Sequence, residues 1–552
     1  MRGVVIMSLF SNVRSKKGLM LALGIMLGAS LLATGCGGKK QAASGGTTGG
    51  KDKPLFIGLT NAPSGFNPVL CADAAAKWVI GFMYDSLLGQ PEINKFTPHL
   101  ALSIDTKDKQ TYTIKLNPNA KWSDGKPITA DDVVFTFNLI ANPKVATSRG
   151  RYIKMLEGVD ANGKLKTEGT IPGLVAKDAT TVEFKCKAPL DPNYVKGLLG
   201  FDVAIIPKHI FEKIDPSKIA SSPAATNPTV VSGPYKFVKY VTNDHVELAA
   251  NDTYVNGAPK IKKVFLKIGN GTNLVVDLKA GKIQMAAGGG IGMVPIKDLD
   301  TLKKEKSLKV EASPAPSTQL LIANNTNPAY NVHFRRALTF AIDRQKIVDQ
   351  LYKGYAQVNP SLYSEASSVF DKSIKPLPFD PETAKKELAQ SGFDTSKTIT
   401  LLVPIGNVLR EQSADLIQQN LKAIGLNVQL QKLDFPTMHS RAMKGDFEML
   451  LIGLNQPADP DFSNYYTPGS AGNYSHTNDA KLNELFAAGA AKTDFNERKP
   501  IYQEIQKYLK EQCFVTALYA QNYFIVQASN IDGGLKQFYD GSLDDINKWS
   551  FK

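Results

Sequence analysis

The sequence predicts an α/β chain that divides into more than one lobe. Three observations carry this expectation. The chain has 552 residues with 43% hydrophobic content, enough for a large core and too long for a single one. Strand-like alternation and helix-like periodicity take turns along most of its length. The stretch 116–140 condenses that pattern into one segment. Tyr112, Ile114 and Leu116 alternate with Thr113, Lys115 and Asn117 as a half-buried strand does, and Pro118-Asn119 ends the run. Ser123-Asp124-Gly125 then supplies a tight turn. Thr129 precedes Ala130-Asp131-Asp132 as an N-cap followed by acids, and Val133, Val134, Phe137 and Ile140 form an apolar helix face.

At the N-terminus, Lys16-Lys17 precede an apolar run over 19–32, short for a membrane span and of the length of a secretory leader. The run ends in Leu32-Ala33-Thr34-Gly35-Cys36, which looks like a bacterial lipobox with Ala33 where leucine is usual. Cleavage is expected before Cys36, and the Cys36 thiol is the expected lipidation site. Residues 37–53 are mostly Gly, Ser, Thr and Lys, the composition of a flexible tether. Formal charge is +14, but Arg2, Arg14, Lys16 and Lys17 fall in the leader, leaving 61 basic and 51 acidic residues. No basic run with interleaved aromatics marks a nucleic-acid surface. An excess of this kind suits a body held near an anionic membrane. Cys71, Cys186 and Cys513 make no C-x-x-C pair and no disulfide framework.

Along the body, 55–59 reads as a buried strand followed by a Pro/Gly loop through Gly65, Phe66, Asn67 and Pro68. A helix is expected over 78–88, strands around Val182-Phe184 and over 261–268, and one helix through Phe334, Leu338, Ala341, Ile342 and Ile347 that Gly354 ends. Further helices are expected over 381–388, 411–424 (with Gly425 as its C-cap) and 496–511. Val428 and Leu430 mark a strand, and 447–453 another that leads into Leu454-Asn455-Gln456-Pro457-Ala458-Asp459-Pro460-Asp461.

Enzyme chemistry finds no support. The six histidines, His99, His209, His245, His333, His439 and His476, include no i,i+4 pair, and no metal or cofactor is expected. No G-x-S-x-G elbow occurs. The glycine spacing at 158–164 lacks the Ser/Thr of a phosphate loop, and Asn162-Gly163 reads as a turn.

Trp122, Asp124, Gly125, Pro127, Thr129, Ala130, Asp132, Val133 and Phe135 resemble the signature of the family 5 solute-binding proteins of ABC importers. Val332 to Arg344, Gly233-Pro234-Tyr235 and Asn251 to Gly257 resemble further family motifs, so the likeness runs from about 55 to 520. It implies a two-lobed periplasmic-binding-protein-like fold with a hinge and an extra subdomain. The implied organisation is leader 1–35, lipidated Cys36 and tether 36–53, lobe I over 54–90, 229–312 and 515–552, a subdomain over 91–228, and lobe II over 313–514. It implies an extracytoplasmic, membrane-anchored, monomeric lipoprotein that captures oligopeptides between its lobes and passes them to ABC permease subunits. A nickel chelate, an oligosaccharide or a signalling peptide stands as the alternative ligand.

The resemblance also marks site residues. Gly65, Phe66 and Asn67 stand in the loop at the cleft mouth. The loop after residue 453 resembles one whose acid pairs with a peptide ammonium; aligned on Asp459-Pro460-Asp461, Gln456 takes that place and Leu454 replaces the usual Trp. An amide supplies no charge, so either another carboxylate such as Asp459 anchors the peptide or the ligand has no free amine. On that alignment Gln456→Asp is expected to tighten binding of free-amine peptides. Leu454, Asn455 and the aromatics Tyr363, Tyr465, Tyr474 and Tyr523 complete the expected cleft.

Overall fold

The computed structural model describes residues 53–552 apart from 72, 93, 289, 458, 471, 536–542 and 544. The expected leader, Cys36 and all but the last tether residue lie outside these. Strand Leu55–Leu59 lies parallel to Met285–Ala286 on one side and to Lys263–Ile268 on the other, and the antiparallel strands His245–Ala250 and Tyr235–Val241 extend the sheet beyond Lys263–Ile268. A second group runs Asn427–Leu433, Thr398–Pro404, Met449–Asn455 and Ser317–Ala323. One strand, Thr516–Ala528, joins the two. Its start pairs with Gln319, Leu320 and Leu321, and its end pairs with Leu308–Pro314. The pairing partner thus changes within this strand, around Ala520–Asn522.

The helices take the positions their apolar stripes require. In lobe II, Val332–Ala341, Arg344–Tyr352 and Val408–Ala423 cover one face of the sheet with Phe334, Leu338, Ile347, Ile417 and Leu421 inward. Ala480–Ala491 and Phe495–Gln512 serve the other face through Leu482, Phe486, Tyr502, Ile505 and Leu509. The first of these cores continues into lobe I through Leu274, Leu278, Leu299 and Leu302, so the hinge side is packed as one body.

Two helices differ from expectation. The one expected through residue 353 is two, because Asp343 leaves helical geometry and caps the second by accepting from Lys346 N at 2.9 Å. The one expected over 78–88 runs Ala74–Met83, starting at the Asp73 cap and ending where Tyr84 turns extended.

The signature stretch is structural. Gly125 takes φ +90°, which a tight turn needs and an L side chain resists. Asp132 accepts from Thr129 N and from Lys208 N, both at 2.9 Å, so one carboxylate closes the helix start and pins a second segment. Ser123 N donates to Val231 O, which ties the subdomain to lobe I. The subdomain sheet itself is antiparallel, with Ala101–Thr106 and Thr111–Leu116 beside Thr181–Lys185 and Leu174–Asp178. The three described cysteines are all free.

Candidate functional site

The site follows from strand direction. In lobe I, Leu55–Leu59 and Met285–Ala286 are parallel, so the loops after both leave from one end of the sheet. Thr60 N donates to Ile291 O at 2.6 Å and joins those loops. Gly290, at φ +79°, lies under Tyr523 of the crossing strand, where a Cβ would come within 3.3 Å of the ring. That end therefore faces the crossing. In lobe II, Thr398–Pro404 and Met449–Asn455 are likewise parallel, and Asn455 pairs with Ser317 just past the connection to lobe I. Carboxyl ends of strands from both lobes thus lie toward the crossing strand, and the crevice expected there is the usual place for a ligand in α/β folds.

Most lobe II candidates gather at this edge, but several are engaged in holding it. Gln456 is 4% exposed. Its Nε2 donates to Leu362 O at 2.8 Å and to Thr318 Oγ1 at 3.2 Å, while its backbone N donates to Pro316 O at 2.7 Å. It works as a donor clamp on the segment before Tyr363. A carboxylate there has no proton to give and would face a carbonyl, so Gln456→Asp is expected to loosen the edge, the reverse of the expectation from alignment. Asp459 is not free for an ammonium either. It accepts from Arg498 Nη1 and Nη2 at 2.7 and 2.8 Å, a bidentate pair.

Arg498 also donates to Gly489 O, to Tyr502 Oη and to Asp191 Oδ2 of the subdomain, the last at 3.1 Å. Burial alone would lower its pKa, but Asp459 outweighs burial and holds the guanidinium charged. Asp461 next door is pushed up, first by burial and then by the Asp459 charge.

Tyr363 has no exposed surface. It stacks on Phe462 at 4.1 Å and donates to Pro460 O at 2.8 Å, so it is core under the loop rather than a cleft face. Tyr474 bonds His439 Nδ1 at 2.8 Å and is mostly buried, and Leu454 is buried beside it in the same core. Asn455 is exposed, and Tyr465 donates to its carbonyl. Burial pushes the Tyr465 hydroxyl up to about 12, Tyr474 adds to that, and Arg151 of the subdomain acts against it. Asn455, Tyr465 and Arg151 therefore mark a place where the two sides approach.

In lobe I, Phe66 and Asn67 are spent inside the lobe. Phe66 packs on Phe237 and Tyr240 at 4.9 and 5.4 Å, and Asn67 accepts from Val69, Leu70 and Cys71 N to fold its own turn. Gly65 lies so close to Cys71 that a Cβ would meet Sγ at 2.9 Å. The Phe66 and Asn67 side chains are thus engaged within the lobe itself.

Sequence reasoning missed Arg498, Asp191 and Arg151. Arg498 had a signal. With Tyr502, Ile505 and Leu509 it lies on the buried stripe of its helix, and a charge on such a stripe requires a partner. Asp191, 307 positions away, had none.

Two lobes joined by one shared strand, with strand ends from both turned toward it, have the arrangement of the two-lobed periplasmic-binding-protein-like fold. Residues 95–476 match the family described as bacterial extracellular solute-binding proteins, family 5 Middle, and the chain belongs to it. It is 27% identical to the oligopeptide-binding protein AppA of Bacillus subtilis over 97% of this chain and 99% of that one. The solved AppA structure, in complex with a nonapeptide, superposes with a TM-score of 0.75 over 91% of this chain and 99% of that one, at 26% identity. The substrate-binding protein CtaP of Listeria monocytogenes gives a TM-score of 0.78 over the same shares at 28% identity. The periplasmic oligopeptide-binding protein OppA of Salmonella typhimurium is 27% identical over 81% of this chain and 82% of its own length.

Proposed function

We propose that this protein captures oligopeptides between its lobes and delivers them to an ABC importer. The observation that carries the reading is the near full-length likeness to AppA, whose solved complex holds a nonapeptide. The crevice supports it. The described acids near the Gln456 position are already paired or buried. That arrangement suits a ligand held by its main chain, with tolerance for varied side chains and no fixed acid at Gln456 for its ammonium. Titrating the purified protein with a mixed peptide library should give saturable binding spread over many sequences. Binding of one small non-peptide solute, with the library silent, would contradict it.

Anchoring belongs to the same proposal. Cys36 carries a lipid, and residues 37–53 hold the body off the membrane on its extracytoplasmic face. No described helix is long and apolar enough to cross a membrane. Cys36→Ser should move the protein from the membrane to the soluble extracytoplasmic fraction; retention in the membrane would count against the anchor.

A further inference from the structure

The subdomain reaches lobe II directly. Asp191 stands in the turn before helix Pro192–Val195, and Arg498 lies in the first turns of Phe495–Gln512. Their side chains meet at 3.1 Å, each 5% exposed. Beside them Lys109, in the turn between Ala101–Thr106 and Thr111–Leu116, donates from Nζ to Thr493 Oγ1 at 2.9 Å. Leu190 N donates to Lys109 O at 2.9 Å, so both subdomain turns form one tip. Both lobe II partners belong to the approach and start of one helix.

We propose that this tip is a clasp, with Arg498 as the positioning residue that couples closure to the binding loop. All five guanidinium N–H groups are engaged: Nε with Gly489 O, Nη1 with Asp191 and Asp459, and Nη2 with Asp459 and Tyr502. The Asp459 pair is complete within lobe II and holds the loop after Gln456 in place. Asp191 adds a second carboxylate that only the closed arrangement supplies. On opening, Asp191 returns to water while Arg498 keeps Asp459, so no bare charge is stranded. The desolvation of Asp191 offsets much of its attraction to Arg498, which leaves a contact that biases closure without locking it. The clasp needs no ligand, so the ligand-free protein populates the closed arrangement, and a ligand leaves only after the clasp opens.

The test uses the full chain with Asp191→Asn and Thr493→Val, singly and together. Asn193 N donates to Asp191 Oδ1 at 2.9 Å, and the asparagine variant keeps a carbonyl oxygen for that bond, so the subdomain fold is preserved. The first readout is hydrogen exchange on ligand-free protein. Exchange at 190–196 and 489–502 should rise several-fold in the double variant at unchanged Tm. Parent-like exchange in either segment overturns the clasp. The second readout is the dissociation rate of a dansylated penta-alanine, which should rise about tenfold in Asp191→Asn because the weakened clasp opens more often. A rise seen only together with a lowered Tm also overturns it, as general loosening. The clasp rests on the peptide-binding reading for this second readout alone, so hydrogen exchange still decides for or against the clasp if the peptide does not bind.

Discussion

At Gln456 an amide stands where family likeness expects an acid, and its hydrogen bonds decide what the exchange of one for the other does. Because Nε2 donates to Leu362 O and Thr318 Oγ1, Gln456→Asp removes two donors and buries a charge beside a carbonyl. The variant should lose about 1–3 kcal/mol of stability in denaturant titration and bind peptides more weakly. Tighter binding of free-amine peptides at parental stability would restore the role that alignment suggested. Asp461 makes the opposite case. Burial and then Asp459 raise its pKa, so it binds a proton more readily folded than unfolded. Its contribution to stability is full below the ordinary carboxylate range and is lost as pH rises through its raised folded value. Asp461→Asn keeps the acceptor that Ser463 N uses, and should raise Tm at pH 7 but not at pH 3. Equal gains at both pH values would show that the charge is not the cause.

At the scale of elements, local chemistry decided most of what the sequence could disclose. Turn residues and caps were readable because they act within a few positions: Gly125, Asp132 and Gly425, the last at φ +94°, stand where their spacing put them. The break at Asp343 was hidden because Ile342 and Ile347 keep a common stripe through it, and apolar spacing is blind to a cap inserted between them. The loop 65–71 was hidden for another reason. Motif likeness locates a loop beside the crevice but does not say which way its side chains point, and Phe66 points into the aromatic pack with Phe237 and Tyr240. Phe66→Ala should therefore cost about 3–5 kcal/mol of folding stability. Peptide affinity, measured where the variant stays folded, should change little; a large affinity loss with small destabilisation would return Phe66 to the ligand.

For the whole molecule, what sequence could not show is pairing across long separations. Thr516–Ala528 binds Leu308–Pro314 and Gln319–Leu321 into one crossing, and nothing local in residues 516–528 announces that they serve both lobes. The same holds for Asp191 and Arg498, which meet only once the subdomain is folded onto lobe II. Fold class and family were legible because their motifs are many and spread along the chain. The detailed site was not, because burial and partner choice at Gln456, Asp459 and Tyr363 are tertiary outcomes. Capture of oligopeptides in the crevice is tested most directly by native mass spectrometry of the folded protein incubated with a mixture of peptides of graded length. A series of peptide-mass adducts, of many sequences, should form and should dissociate as intact peptides on activation. A folded protein that carries no peptide adduct at saturating concentration would contradict peptide capture.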